Sequence, residues 1–329
     1  MKASFRSAFN YLSRYLALII LVTVASLMAP GFLSVQNILN LLRSFSFLGF
    51  ISIGMTFVIL SAGIDLSVAS ILAFSGVMLA LFQHWGIYLG HVDKLSLIFP
   101  TPFIFLTVLA IGTLLGFVNG LVITKLKIVD FAATLGMMVF ARGLAFAISG
   151  GRTIFNLDSM ALFMGRGMVG NIPFVAILWV SAIVICTVLL RYTVFGKNLY
   201  ACGENPVAAK LSGIDPVFYK IAVYSISGFL AALAGICMAG RLNLGEPRVA
   251  QGWELDAIAA VVIGGTSFAG GKGGVVQTIL GVVIIGMIRN VLSVLGIQPD
   301  PQEMIMGGVL LLAVIFGSLG SRKGSLAHA

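Results

Sequence analysis

The 329-residue chain contains 20 lysines and arginines against 11 aspartates and glutamates, which gives a formal net charge of +9. Hydrophobic residues make up 59% of the chain and charged residues only 9%, and the mean hydropathy is +1.09. Because a soluble domain carries about a quarter charged residues, this composition excludes an ordinary soluble protein and predicts an all-α polytopic membrane protein. The basic residues occur singly between apolar runs, so they do not predict a nucleic-acid-binding surface.

The apolar runs predict about ten transmembrane helices in a single transmembrane domain that covers residues 1–329. Each crossing of a hydrocarbon core about 30 Å thick takes roughly 20 helical residues. Val35–Leu42 is short and half polar, and we predict that it lies at the membrane interface. The predicted crossings are Tyr15–Ala29, Phe45–Ser61, Leu66–Phe82, Phe103–Thr124, Phe131–Ser149, Pro173–Leu190, Ile221–Gly240, Leu255–Phe268, Val275–Leu295 and Met304–Leu319.

The run from Phe45 to Phe82 is about two crossings long and contains one ionisable residue, Asp65. The helix is predicted to break near residues 61–67, where Gly63 relaxes the backbone and Asp65 and Ser67 can cap the following helix. A carboxylate inside a membrane costs on the order of 3 kcal/mol on insertion scales. Asp65 is therefore either a cap that turns the chain at the membrane surface or part of a broken helix beside a polar pathway.

The basic residues predict that both termini are cytoplasmic. With ten crossings and the N-terminus inside, twelve basic residues fall on the cytoplasmic side and six on the outer side, while Arg142 and Arg289 lie within crossings. The cytoplasmic set is Lys2, Arg6, Arg14, Lys125, Lys127, Arg191, Lys197, Lys210, Lys220, Lys272, Arg322 and Lys323. The outer set is Arg43, Lys94, Arg152, Arg166, Arg241 and Arg248.

A second break is predicted near residues 264–274, where glycines interrupt the eighth crossing after Ile263. The eighth crossing runs in the same direction as Phe45–Ser61, and a returning helix follows each of them. This pattern favours two parallel structural repeats, each with one broken helix pair. The alternative is a plain glycine-rich loop between short helices.

The longest predicted cytoplasmic segment, residues 191–220, contains a compact helix signal. Asn205 suits the N-cap, Pro206 suits the first helical position, and Gly213 suits the position after the last turn. Val207, Leu211 and Ile214 form an apolar stripe. A two-turn helix is marginal alone in water, so we interpret it as a docking element for a partner's groove. The alternative is a short surface helix packed against the membrane face.

No catalytic, metal or nucleotide site is predicted. His84, His91 and His328 show no metal-ligand spacing with one another or with the three cysteines. A phosphate-binding loop of the form G-x-x-x-x-G-K-[ST] fails around Lys272, because Thr266 takes the place of its first glycine. If ATP powers this protein, another chain must bind the ATP.

Three stretches resemble the permease subunits of ribose-type ABC importers, within the superfamily of ribose and branched-chain amino acid permeases. They run from Gly54 to Ser70, from Gly203 to Ile214 and from Glu254 to Gly273, and the similarity extends from about Pro30 to Phe316. Ala69 and Glu204 depart from the family pattern, which usually has glycine at both positions.

The resemblance implies a permease of the bacterial cytoplasmic membrane that pairs with a second copy or a related permease, with two ATP-binding subunits and with a periplasmic sugar-binding protein. ATP and Mg²⁺ would then bind on the partner ATPase and no cofactor on this chain. The segment from Gly203 to Ile214 would be the coupling helix in an ATPase cleft. Its residues are Gly203, Glu204, Asn205, Val207, Ala208, Leu211, Ser212, Gly213 and Ile214.

The sequence therefore predicts the membrane subunit of an ATP-driven importer of a monosaccharide or related polyol. Polar residues within or beside apolar spans are the candidates for the translocation pathway, although helix–helix hydrogen bonding is the alternative for each serine and threonine. A secondary transporter, with Asp65 binding Na⁺ or a proton, is the rival reading. A membrane-embedded enzyme would need a second reactive side chain beside Asp65. The pathway candidates are Thr56, Asp65, Ser67, Asn119, Thr266, Ser267 and Asn290.

Overall fold

The computed structural model describes residues 16, 18–88, 100–298 and 300–312. Parts of the first and last predicted crossings, Lys94 and the basic residues near both termini lie outside these ranges. The helices are α1 (Leu18–Met28), α2 (Val35–Leu60), α3 (Val68–Tyr88), α4 (Thr101–Lys125), α5 (Asp130–Ser149), α6 (Ser159–Arg166), α7 (Phe174–Tyr192), α8 (Val194–Glu204), α9 (Pro206–Leu211), α10 (Pro216–Leu242), α11 (Trp253–Gly264), α12 (Val275–Val294) and α13 (300–312).

Four two-residue strands form two short antiparallel pairs among the described residues. The strands are β1 (Ile154–Phe155), β2 (Met168–Val169), β3 (Ile172–Pro173) and β4 (Leu244–Gly245). β1 pairs with β4, and β2 pairs with β3 to form a hairpin.

Six of the described helices, α2, α4, α5, α7, α10 and α12, are long and apolar enough to cross a membrane. Two shorter apolar stretches, Leu18–Met28 and Val68–His84, accompany them. The outer faces of α4, α5 and α7 expose large apolar side chains such as Phe103, Val139 and Ile185, as expected for helices that face lipid. These features confirm a helical polytopic membrane protein.

Helices α2 and α10 form the centre of the fold. Every residue of α2 from Phe45 to Leu60 is buried, and α10 packs against α2, α3, α4 and α6. The approach of α4 to α10 depends on glycine, because a Cβ at Gly116 would lie 2.1 Å from the carbonyl oxygen of Tyr224. A Cβ at Gly228 would likewise lie 2.2 Å from the carbonyl oxygen of Gly112. Small residues four apart thus allow backbone contact between two membrane helices.

Both predicted breaks are present, but the prediction that Gly63 relaxes the first one is wrong. The helix ends at Leu60, and Ala62, with φ of 55°, takes the left-handed conformation there. Gly63 instead allows the side chains of Asp130 and Tyr224 to approach the backbone. A Cβ at Gly63 would lie 2.5 Å from the Asp130 carboxylate and 2.9 Å from the Tyr224 hydroxyl.

Two predicted boundaries are also wrong, and one helix was not predicted. Val35–Leu42 is not a separate element, because α2 begins at Val35 and continues without interruption to Leu60. The eighth crossing ends at Gly264 rather than Phe268, because Gly265 takes a left-handed φ of 105°. Within residues 191–220 an additional helix, α8, precedes the predicted one, despite its two glycines. Packing overrides the low helix propensity of glycine there.

Candidate functional site

The two helix breaks and the end of α8 meet at one point. The Gly271 N–H donates a hydrogen bond of 3.0 Å to the carbonyl oxygen of Leu60, which joins the second break to the last residue of α2. A Cβ at Gly203 would lie 1.8 Å from the same carbonyl oxygen and 2.8 Å from the Gly271 nitrogen. The Tyr200 hydroxyl donates to the carbonyl oxygen of Gly273 at 2.8 Å. In α8, Gly203 therefore contacts both breaks and Tyr200 contacts the second.

An ion pair between Lys220 and Asp130 also contacts the first break. Lys220 Nζ lies 2.6 Å from Asp130 Oδ2, and the same ammonium donates to the carbonyl oxygen of Ser61 at 3.2 Å. The Tyr224 hydroxyl lies 3.0 Å from the carbonyl oxygen of Ile64 and 2.9 Å from Asp130 Oδ2. The turn between α4 and α5 and the start of α10 thus support the backbone of residues 61–64.

The Asp65 carboxylate is fully buried and accepts hydrogen bonds in the turn that leads into α3. Its Oδ1 accepts hydrogen bonds from the Ser67 N–H at 3.0 Å and from the Ser67 hydroxyl at 2.6 Å, while Oδ2 accepts from the Ser227 hydroxyl at 2.8 Å. Asn119 donates its amide to Ser67 Oγ at 2.9 Å. This cluster links the first break to α4 and α10. The hydrogen bond from the Ser67 N–H, directly before α3, fits the capping interpretation of Asp65.

Asp65→Asn should leave insertion and most of the transport intact. The asparagine side-chain oxygen can still accept from Ser67, its amide can donate to the Ser227 hydroxyl, and asparagine caps helices about as well as aspartate. Asp65→Ala should instead lower the free energy of unfolding by about 1–3 kcal/mol, because the buried Ser67 and Ser227 hydroxyls lose their acceptor. The amount of inserted protein and the initial uptake rate test this. Loss of uptake in a normally inserted Asp65→Asn protein would show that the negative charge itself is needed.

Two other predicted pathway residues, Thr56 and Asn290, lie in separate pairs. The hydroxyls of Thr56 and Thr278 lie 2.7 Å apart between α2 and α12. Asn37 and Asn290 exchange two amide hydrogen bonds, at 3.0 and 2.9 Å, between the same two helices. The seven candidates therefore do not form one cluster, and most of them make interhelical hydrogen bonds.

Thr266 and Ser267 stabilise the second break. Thr266 Oγ1 accepts from the Gly274 N–H at 3.3 Å, and Ser267 Oγ accepts from the Ala269 N–H at 3.2 Å. The Ser267 N–H donates to the carbonyl oxygen of Lys272 at 2.9 Å. These bonds give the glycine-rich segment after α11 a defined shape.

The helix predicted inside residues 191–220 is α9. Asn205 Oδ1 accepts from the N–H groups of Val207 and Ala208 at 3.1 and 3.0 Å, and Gly213 follows the helix with φ of 81°. The side chains of Val207 and Leu211 are 69% and 85% exposed. Ile214 is half-buried, so only part of the predicted stripe is free, while Gly203 is buried and Glu204, Asn205, Ala208, Ser212 and Gly213 are exposed.

The chain matches the family described as the permease component of the branched-chain amino acid transport system over residues 37–314. The chain belongs to this permease family. It is 42% identical over 316 residues to the ribose import permease protein RbsC of Haemophilus influenzae and 44% identical over 313 residues to RbsC of Bacillus subtilis, with 94% of each chain covered. It is 36% identical over 301 residues to the L-arabinose ABC transporter permease protein AraH of Azospirillum brasilense, which covers 91% of this chain and 84% of AraH. No solved structure matches the chain.

These matches confirm the resemblance predicted from the sequence. The permease is a transport subunit of the cytoplasmic membrane and not an enzyme.

Two arginines make contacts around the start of α11 that the sequence did not predict. Arg289 Nε lies 2.5 Å from Asp256 Oδ2, and Arg142 donates to the carbonyl oxygens of Pro247 and Val249 at 2.7 and 2.9 Å. The sequence signal was the presence of Arg142 and Arg289 within apolar spans, since intramembrane charges usually mark functional positions.

Helix α11 is too short to cross the membrane alone, so the contacts of Arg142 and Arg289 lie beside irregular backbone. Its 12 residues span about 18 Å, less than the roughly 30 Å hydrocarbon core. Irregular backbone at membrane depth is tolerated where it is buried in protein or lines a polar cavity. Arg142 provides donors for the irregular segment that leads into α11, and the pairing with Asp256 neutralises Arg289.

Proposed function

We propose that this permease imports a monosaccharide or related polyol of the ribose type, driven by ATP that a separate subunit hydrolyses. Relatives named as ribose import permeases and as an L-arabinose ABC transporter permease support the solute class. The observation that carries the ATP-driven mechanism is the position of α9. It exposes Leu211 and Val207 to a partner, and it follows Gly203, which contacts both helix breaks. A partner that moves α9 would therefore move the breaks.

The proposed assembly contains a second permease copy or a related permease, cytoplasmic ATP-binding subunits that hold ATP and Mg²⁺, and a periplasmic sugar-binding protein. Membrane lipid surrounds the permease, and residues 1–329 form one transmembrane domain. The exposed residues of the predicted coupling segment, among them Leu211, would enter the ATPase cleft. Gly203 is buried beneath these exposed residues and would transmit their movement to the two breaks, which it contacts.

The proposed pathway includes Thr56, Asp65, Ser67, Asn119, Thr266, Ser267 and Asn290. Sugar hydroxyls require hydrogen-bond donors and acceptors, which these side chains supply. Thr56, Asn119 and Asn290 each form a hydrogen bond to a side chain of another segment. Movement of the two breaks would therefore exchange helix–helix hydrogen bonds for hydrogen bonds to the solute.

The proposed topology has ten crossings with both termini in the cytoplasm. The contacts of Lys220, Asp130, Gly203 and Ser61 support it, because they bring the α4–α5 turn, the 191–220 segment and the first break to one side of the molecule. Arg241 lies 21 residues beyond Lys220 on α10, or about 31 Å away, at the opposite side.

Cysteine labelling tests this topology. A cysteine at Ser212 should react with a membrane-impermeant maleimide only from the cytoplasmic side, and one at Arg152 only from outside, since both positions are exposed. The native cysteines should give little background labelling, because Cys186, Cys202 and Cys237 are all buried. Burial also raises the pKa of the Cys202 thiol, which lowers the amount of reactive thiolate. Labelling of both introduced cysteines from one side would contradict the ten-crossing layout.

The rival function is secondary transport driven by an ion gradient. The permease should show no sugar accumulation in vesicles with an imposed Na⁺ or proton gradient when its ATP-binding subunit is absent. Accumulation under these conditions, and its loss in Asp65→Asn, would favour the rival over ATP-driven import.

A further inference from the structure

Three arginines meet at the end of the permease that lies opposite to the helix breaks. Arg43 Nη1 and Arg241 Nη2 both donate to Asn40 Oδ1, at 3.4 and 3.1 Å, which brings the two guanidinium groups together. Arg166 Nε donates to the carbonyl oxygen of Arg241 at 2.7 Å. The three come from α2, α6 and α10, and we refer to Arg43, Arg166 and Arg241 as the arginine cluster.

No carboxylate of the described residues forms an ion pair with the arginine cluster. The ion pairs found among the described residues involve Lys220, Arg248 and Arg289, and none of them includes a cluster member. Arg43 is only 8% exposed, its Nε has no hydrogen-bond partner among the described atoms, and its Nη2 contacts the weak acceptor Met168 Sδ at 3.3 Å. Because a buried charge without a counter-charge is strongly unfavourable, the cluster calls for an anion.

The position of the cluster indicates where that anion comes from. Arg241 lies about 31 Å along α10 from Lys220, which is close to the thickness of the hydrocarbon core, so the cluster stands at the level of lipid headgroups. Apolar side chains next to it are exposed, namely Phe163, Met168 and Leu242. A free phosphate or an acidic protein surface would satisfy the arginines alone, whereas a lipid would also cover these apolar side chains.

We propose that the arginine cluster binds the phosphate of an anionic phospholipid, with the acyl chains against Phe163, Met168 and Leu242. The guanidinium group matches a phosphate through paired N–H donors, and a fully ionised pair is stronger than a neutral hydrogen bond. In the proposed topology the lipid belongs to the outer leaflet. It would join α2, α6 and α10, and so stabilise the end of the two central helices.

Lipid titration of the delipidated, full-length permease tests the site. The thermal unfolding midpoint is followed with short-chain phosphatidylglycerol, with short-chain phosphatidylcholine and with inorganic phosphate. We expect the wild type to bind phosphatidylglycerol at least about tenfold more tightly than phosphatidylcholine, which corresponds to one charge-assisted contact, and to show no stabilisation by inorganic phosphate. Arg166→Gln, at an exposed position, and Arg166→Gln/Arg241→Gln should progressively remove this preference.

Arg248→Gln is the matched control, because Arg248 is another exposed arginine but has Glu246 4.0 Å away. It should retain the wild-type preference. An unchanged preference in the double variant, or an equal loss in Arg248→Gln, would overturn the proposal. If inorganic phosphate stabilises the wild type as much as phosphatidylglycerol does, the cluster binds a free anion. If the double variant loses docking of the sugar-binding protein but keeps the lipid preference, the cluster binds an acidic protein surface. Either outcome would reject the lipid site.

Discussion

Leu211→Asp is expected to give a normally inserted permease that no longer co-purifies with its ATP-binding subunit. The Leu211 side chain is 85% exposed on α9, so the substitution leaves the permease fold intact. In the proposed complex the same side chain is buried in the ATPase cleft, where an unpaired carboxylate costs several kcal/mol. A loss of ~2.8 kcal/mol already lowers the affinity about a hundredfold. Co-purification and sugar-stimulated ATP hydrolysis measure the effect.

Two variants serve as controls for this experiment. Lys210→Ala lies beside Leu211 on the same short helix and should have a much milder effect. Leu126→Asp makes the same chemical change at an exposed leucine of the α4–α5 connection, and it should also leave the complex intact. If Leu126→Asp dissociates the complex and Leu211→Asp does not, the segment around Lys125–Asp130 is the coupling element instead of α9.

Gly203→Ala is expected to destabilise the contact between the two breaks and to abolish coupled transport. Alanine favours a helix over glycine by about 1 kcal/mol, so propensity alone predicts stabilisation of α8. The added Cβ, however, would lie 1.8 Å from the Leu60 carbonyl oxygen, so the backbones must separate. Overpacking of this kind costs about 1–3 kcal/mol and displaces the hydrogen bond from Gly271 to Leu60. The unfolding midpoint and the uptake rate should both fall.

Gly136→Ala is the matched control for Gly203→Ala. Gly136 lies in α5, and a Cβ built there has no neighbouring atom within 4 Å. This variant should be at least as stable as the wild type and should transport normally. Wild-type uptake in Gly203→Ala would mean that the contact between α8 and the breaks carries no coupling.

Much of the fold follows from local signals in the chain. Asn205, Pro206 and Gly213 predicted α9 correctly because capping and termination depend on neighbouring residues. The two breaks were predictable because glycines and polar residues interrupt long apolar runs near residues 61–67 and 264–274. Helix α8 was missed because Gly196 and Gly203 lower its intrinsic propensity, although Thr193 caps it. The two glycines instead allow close packing against Leu190 and Leu60.

The site was less predictable because its contacts join distant residues. Asp65, Ser67 and Asn119 were chosen individually as polar residues beside apolar spans, and the structure brings these three together with Ser227. No local pattern indicates that Ser227, 162 positions after Asp65, supplies the third donor to its carboxylate. The partners of Arg142 and Arg289, and the meeting of Arg43 with Arg241, depend in the same way on helix packing that no local sequence pattern indicates.

ATP-dependent sugar uptake into proteoliposomes tests the proposed function most directly. The permease is reconstituted with its ATP-binding subunit, ATP is enclosed on the side of α9, and the sugar-loaded binding protein is added on the other side. We predict uptake of a ribose-type sugar that requires ATP hydrolysis, that is absent with a non-hydrolysable ATP analogue, and that disappears in Leu211→Asp. Uptake that continues without ATP under an imposed ion gradient would contradict the account.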